Sequence, residues 1–207
     1  MNRAILLVLV LACVTRVQPH GHVSFPLART SIFRDPSFGA QQPFWWNDTG
    51  IECGHAPQDL QYSTCGRCGD RLGETHAQQG GRYDKGIITA TFTAGQIIPA
   101  VVDINANHRG HITFELCPQV IETDTCFQIL RIVGGDRRIF NNNTMMCTGE
   151  MNQNGRINVH VQLPSNVRCT RCTLRWTYRT SYSPYPDPCL NPNPTQTFRN
   201  CVDIRIN

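Results

Sequence analysis

Eleven cysteines in 207 residues constrain this chain more than any other feature. So many thiols point to an oxidising compartment, where they close into bridges and staple a loop-rich fold. An odd count leaves one over, and the N-terminus accounts for it. Met1 to Arg3 is a short basic start, and Ala4 to Val14 (AILLVLVLACV) is an almost unbroken apolar run. That run has the length of a signal-peptide core and is too short to span a bilayer as a helix. Reading residues 1–19 as a signal peptide removes Cys13 and leaves ten cysteines, at 53, 65, 68, 117, 126, 147, 169, 172, 189 and 201, enough for five disulfides. The expectation is a secreted, extracellular protein of one domain, residues 20–207. Val10-Leu11-Ala12-Cys13 also fits a bacterial lipobox, a looser motif. The sequons Asn47-Asp48-Thr49 and Asn142-Asn143-Thr144 suit glycosylation at Asn47 and Asn142 during eukaryotic secretion.

Charge excludes some partners. Loss of residues 1–19 takes away Arg3 and Arg16, so 17 basic side chains face 15 acidic ones. That balance predicts no nucleic-acid partner. No later stretch approaches the hydrophobicity of the N-terminal run, so no membrane partner is expected either. Lys85 is the only lysine, and the clusters Arg137-Arg138 and Arg168, Arg171 and Arg175 read as solvated faces.

From residue 86 onward the chain reads as short β-branched segments. These are Gly86 to Phe92, Ile97 to Ala106, His111 to Leu116, Cys126 to Val133, Ile157 to Leu163, Leu174 to Tyr178 and Cys201 to Ile206. Turn-rich stretches separate them, which predicts an all-β antiparallel sandwich. His22 to Gly81, rich in Gly, Pro, Gln and Asn, reads as a long loop region with short helical turns, pinned by disulfides to one edge. Ser181 to Thr195 carries closely spaced prolines and should be irregular, held at Cys189.

Common catalytic signatures are missing: no G-x-S-x-G, H-E-x-x-H, G-x-x-x-x-G-K-[ST] or G-x-G-x-x-G occurs. Glu52, Glu74, Glu115, Glu122 and Glu150 are scattered, and nothing selects two of them as a glycosidase pair. Cys65-Gly-Arg-Cys68 and Cys169-Thr-Arg-Cys172 together have the look of a four-thiolate zinc site, but a hundred residues separate them. The oxidising compartment favours disulfides, with each of these cysteines bridged to one elsewhere.

Histidine carries more information. A cut before His20 in His20-Gly21-His22 would leave a histidine with a free α-amine, whose ordinary pKa is near 8. A metal displaces that proton readily and chelates amine and imidazole together. One more imidazole makes three nitrogens, a set that suits Cu(II). By strand alternation Ile104, Ala106 and His108 share a face, so His108 is the first candidate and His111 the second. His160 sits between valines and should face solvent, and His55 and His76 have no partner pattern.

Four segments carry a family resemblance. HGHVSFPLAR from His20, Cys65-Gly66-Arg67-Cys68-Gly69-Asp70, Ala106 to His111 leading into Phe114-Glu115-Leu116-Cys117-Pro118, and Phe198 to Ile204 (FRNCVDI) occur in order along the whole mature chain. Together they resemble the copper-dependent lytic polysaccharide monooxygenases of auxiliary activity family 15. The resemblance implies a fibronectin- or immunoglobulin-like β-sandwich with a flat copper face. It implies one copper ion held by the amine and imidazole of His20 and the imidazole of His108, with Phe198 at the axial position and Ala106 beside the metal. It further implies oxidative cleavage of glycosidic bonds in crystalline chitin, or in cellulose, using O2 or H2O2 and an external electron donor, by a monomeric enzyme. Two positions depart from the family pattern: Pro19 is unusual before a signal-peptidase cut, and cleavage after Gly21 would expose His22 instead. His111 stands where an aromatic is expected, which would put another imidazole near the copper face. Trp45 and Trp46 (PFWWND) are equally suited to stacking on sugar rings and to filling the loop region. A non-catalytic secreted protein that binds polysaccharide or handles copper is the alternative consistent with the same residues.

Overall fold

The alternation in Ile97–Ala106 becomes strand β3, with Ile98, Ala100, Val102 and Ile104 buried between more exposed neighbours. The computed structural model describes residues 20–54, 62, 65–181, 187–190 and 196–207. Gly155–Gln162 is the same kind of strand: Ile157, Val159 and Val161 point inward, and Asn158 and His160 point to solvent, as expected for His160. A strand of period two can bury one face only, so each needs a second layer.

Among the described residues eleven strands supply it: β1 His20–Phe25, β2 Ala90–Phe92, β3 Ile97–Ala106, β4 His111–Cys117, β5 Gln128–Ile129, β6 Arg131–Gly135, β7 Ile139–Phe140, β8 Met145–Cys147, β9 Gly155–Gln162, β10 Cys169–Arg179 and β11 Thr197–Ile206. One sheet runs β1-β3-β9-β6. The other runs β2-β11-β10-β4-β8-β7, with β5 on β4; β2 lies parallel to β11 and the remaining pairs are antiparallel. Between the sheets Val23, Val102, Ile104 and Val159 meet Ile112, Phe114, Leu174, Trp176, Tyr178, Phe198 and Val202 in one core. The β-sandwich expectation holds.

The second sheet is buried on its outer face as well, because nine of the ten residues of β11 are buried. Two 3-10 helices, Arg29–Arg34 and Pro36–Gln41, and the loops that follow lie over it. Arg29 and Asp70 beneath that cover are paired, as burial of a charge requires. Arg29 donates to both carboxylate oxygens of Asp203 at 2.8 and 2.7 Å, to Glu122 at 2.5 Å and to the Thr173 hydroxyl at 3.0 Å. Asp70 accepts from the backbone N–H groups of His76, Ala77 and Gln78 and so closes the loop on itself.

All ten cysteines beyond residue 19 form bridges: 53–65, 68–201, 117–126, 147–189 and 169–172. The zinc reading therefore has no thiolates to use. Cys68, Glu122 and Cys201 do come within 4.8 Å of one another, but the two sulfurs are bonded to each other. Cys65 and Cys68 bridge elsewhere as expected, whereas Cys169 and Cys172 pair with each other, contrary to expectation. The physical reason lies in the β10–β11 register. Cys169 faces Ile206 and Cys172 faces Ile204, so β10 carries an extra residue in a bulge there, which brings the two side chains together. By loop-closure entropy the 68–201 bridge, spanning 133 residues, stabilises by about 5 kcal/mol and the 169–172 bridge, spanning 3, by about 2 kcal/mol.

Candidate metal centre

β1 and β3 bring the first candidate ligands to one end of the sandwich. His20 opens β1 opposite Ala106, the last residue of β3, and His108 follows two residues later. Gly21 packs closely in this register: a Cβ would stand 2.9 Å from Ile104 Cδ1 and 3.2 Å from the Asp103 carbonyl, so a larger residue would make both neighbours shift. Its N–H donates to the Thr49 carbonyl at 2.9 Å, which ties the start of β1 to the loop carrying Asn47.

His108 is buried, 4% exposed, and its backbone is fixed from both sides. Its N–H donates to the Tyr178 hydroxyl at 3.0 Å, and its carbonyl accepts from Ser181 N–H at 2.9 Å. The Tyr178 hydroxyl in turn donates to the Arg109 carbonyl at 2.9 Å. The turn depends on left-handed backbone at Arg109 (φ 60°) and Gly110 (φ 89°), and at Gly110 a Cβ would collide with the Arg179 carbonyl. Asn107, fully buried, braces the loop by donating its amide to the Thr148 carbonyl at 2.6 Å and the Gln153 carbonyl at 3.1 Å.

Phe198 of β11 lies opposite Tyr178 of β10, with ring centroids 6.0 Å apart. Phe198 and His20 both line a cleft of about 450 Å³, together with Trp45, Trp46, Asn47, Glu52, Arg71, Glu74 and His76. Burial pushes the His108 pKa down, and the nearby His20 ring pushes it further. Both effects favour a neutral imidazole, the form that binds a metal.

Residues 20–204 match the family of lytic polysaccharide mono-oxygenases described as cellulose-degrading. The AA15 lytic polysaccharide monooxygenase of Thermobia domestica in its Cu(I) state is 32% identical, with a TM-score of 0.72 over 90% of this chain and 98% of that one. The chain belongs to auxiliary activity family 15 of the copper-dependent lytic polysaccharide monooxygenases. A CBM33 polysaccharide monooxygenase overlays at a TM-score of 0.49 with 10% identity, over 91% of this chain and 100% of that one. No curated protein sequence matches.

For this monooxygenase the fold separates the remaining candidates. His111 opens β4 one turn away, with Nδ1 2.9 Å from the Cys189 carbonyl and its ring edge-on to Phe140, 6.0 Å between centroids. Trp45 stacks on Tyr83 at 4.7 Å and 5° and leans on His76 at 5.0 Å, packing beside Ile51, Ala77 and the 68–201 bridge. Trp46 is 79% exposed. Trp45 packs into the loop region and Trp46 faces solvent, and both line the cleft. Asn47 lies on the cleft wall, whereas Asn142 lies in the exposed β7–β8 turn at φ 54°. His22 is buried beyond His20 on β1, and burial lowers its pKa against the opposing pull of Asp48. His55 and residues 1–19 lie outside the described residues.

Sequence reasoning missed Tyr178, which fixes the His108 backbone, and the polar cleft wall. On that wall Arg71 pairs with Glu52 at 2.9 Å, and Arg71 N–H donates to Glu74 at 3.2 Å. Glu52 bridges the Phe198 backbone, so this wall is built directly onto β11. No linear pattern links residues 52, 71 and 198. No helix among the described residues is long and apolar enough to cross a membrane.

Proposed function

We propose that this monooxygenase is secreted, is cut before His20, and holds one copper ion through the His20 amine, the His20 imidazole and the His108 imidazole. The observation that carries this reading is the convergence of His20 and His108 at the His20–Ala106 end of the β1–β3 ladder, beside Phe198. The family match beginning at residue 20 supports the cut site. The donor set fits the metal: nitrogen ligands suit copper, and the lowered His108 pKa keeps that ring unprotonated at neutral pH.

When bound, copper supplies one-electron redox chemistry that activates O2 or H2O2 for hydroxylation of a sugar C–H bond, using electrons from an external donor. The chain supplies the positions. Tyr178 and Ser181 hold the His108 backbone so that its ring cannot swing with the loop. Thr49 holds the first residues of β1. Phe198, lining the cleft beside His20, would offer carbon where another side chain would offer a donor, and Ala106, opposite His20, keeps the neighbouring side chain small. Trp46, exposed beside the cleft, offers a face for a sugar ring, and Glu52, Arg71 and Glu74 offer hydrogen-bond partners for hydroxyl and amide groups.

Crystalline chitin is the proposed substrate, and the enzyme acts as a monomer on its surface. Cellulose is the second reading, favoured by the description of the matched family. Incubation of the copper-loaded protein with each polymer and a reductant, followed by mass spectrometry of soluble products, tests both. Oxidised chitooligosaccharides are expected, and their loss in His108→Ala ties them to the site. Oxidised cello-oligosaccharides alone would transfer the assignment to cellulose. Polymer binding without oxidised products from either would establish a binding protein instead.

A further inference from the structure

The 169–172 bridge differs from the other four in exposure and in span. Cys169 is the one bridged cysteine that is not buried, while Cys172 beside it is wholly enclosed in the core. The bridge spans 3 residues where the others span 9 to 133, so losing it costs the fold the least stability and detaches no long loop. It sits at a bulge, where the β10–β11 ladder is already interrupted and no run of strand pairing depends on it. It also opens into a groove of about 520 Å³ lined by Pro118, Val120, Arg168, Cys169, Thr170 and Arg205, among others. Among the described residues, Arg168 and Arg205, both exposed, are the charged side chains lining that groove.

We propose that Cys169–Cys172 is a thiol-exchange site that accepts an anionic low-molecular-weight thiol. The groove gives the attacking sulfur access to Cys169, and the two guanidinium groups attract a carboxylate-bearing thiol and stabilise the thiolate that attacks. The incoming thiolate attacks Cys169 Sγ, forming a new S–S bond as the 169–172 bond breaks. Cys172 leaves as a thiolate and takes a proton from solvent. A second thiol then attacks the mixed disulfide, releasing its disulfide and the Cys169 thiolate. Overall two external thiols are oxidised and one bridge is reduced. The accessible first cysteine and enclosed second give the attack one direction, so the adduct forms on Cys169. The site is at the opposite end of β10 from Tyr178, and its chemistry does not depend on the copper assignment.

The test exposes the folded protein to graded reduced glutathione, then to an alkylating label, with peptide mass spectrometry of all ten cysteines. Glutathionylated Cys169 and labelled Cys172 are expected at thiol concentrations about tenfold below those that label any other cysteine. The double variant Arg168→Gln, Arg205→Gln should slow exchange with glutathione about fivefold and slow exchange with 2-mercaptoethanol, which carries no carboxylate, by less than about twofold. Circular dichroism of Cys169→Ser, Cys172→Ser should show a retained sandwich. Simultaneous opening of all five bridges, or adducts on other cysteines first, would overturn the proposal. Equal slowing of both thiols by the arginine substitutions would overturn the anionic preference.

Discussion

Tyr178→Phe removes one oxygen atom and nothing else from the support of His108. The hydroxyl accepts the His108 N–H at 3.0 Å and donates to the Arg109 carbonyl at 2.9 Å, and Tyr178 is wholly buried, so water cannot replace it. The ring stays, so the packing against Trp176 and Phe198, with centroids 6.0 Å away in each case, is preserved. Withdrawing a partner from a buried backbone group costs about 1–3 kcal/mol. With about 2 kcal/mol lost, a chain of this size should melt about 4–8 °C lower. If Tyr178 holds His108 for the metal, copper affinity should also fall by about 10–100-fold, the usual effect of removing a group that orients a ligand. Calorimetric melting of the copper-free protein and copper titration by competition with a chelator measure the two effects separately. A lower melting temperature with unchanged copper affinity would refute the positioning argument and leave Tyr178 a stabilising residue alone.

Three further outcomes follow from the buried charges and the donor set. Arg29→Met leaves Glu122 buried without its cation and Asp203 with Arg171 alone, and should destabilise the fold by about 3–5 kcal/mol in urea unfolding; a loss below 1 kcal/mol would contradict the network. Asp84 is partly buried, which raises its pKa, but the Gly80 N–H, Arg29 and Arg171 outweigh burial and hold it below the ordinary carboxylate value. A native pKa below the unfolded one near 3.9 gives stability that is complete above about pH 5 and is lost as pH falls through the native value. Asp84→Asn should therefore flatten the fall in melting temperature between about pH 5 and pH 3, and an unchanged slope would count against the assignment. Stripping the metal with a chelator should lower the melting temperature by about 8–16 °C relative to protein with copper at about a thousand times its Kd, restored by copper and not by magnesium.

What the sequence disclosed depended on how many faces each segment buries. Ile97–Ala106 has one wet face, so its alternation marked the strand to the residue. β10 and β11 extend beyond their anticipated spans because the polar residues at their ends, Thr173 on β10 and Thr197, Arg199 and Asn200 on β11, are buried, and polarity mimicked loop. β1 was missed altogether: HGHVSF has no apolar alternation, and its place in the sheet comes from pairing with β3. Cys126 to Val133 became two strands, Gln128–Ile129 and Arg131–Gly135, which join different sheets. In the site, His20 was legible from its place after the apolar run and His108 from its place at a strand end. Tyr178, Glu52 and Arg71 were not, because they meet the histidines only through the β10, β11 and loop packing.

The histidine ligation of copper is the central claim, and electron paramagnetic resonance of the Cu(II) protein tests it most directly. Protein beginning at His20 should show hyperfine coupling to three nitrogens, and protein retaining Pro19 before His20 should lose one of them and bind copper more weakly. Identical spectra and affinities for the two would contradict the account, because the amine exposed at His20 would then take no part in holding the metal.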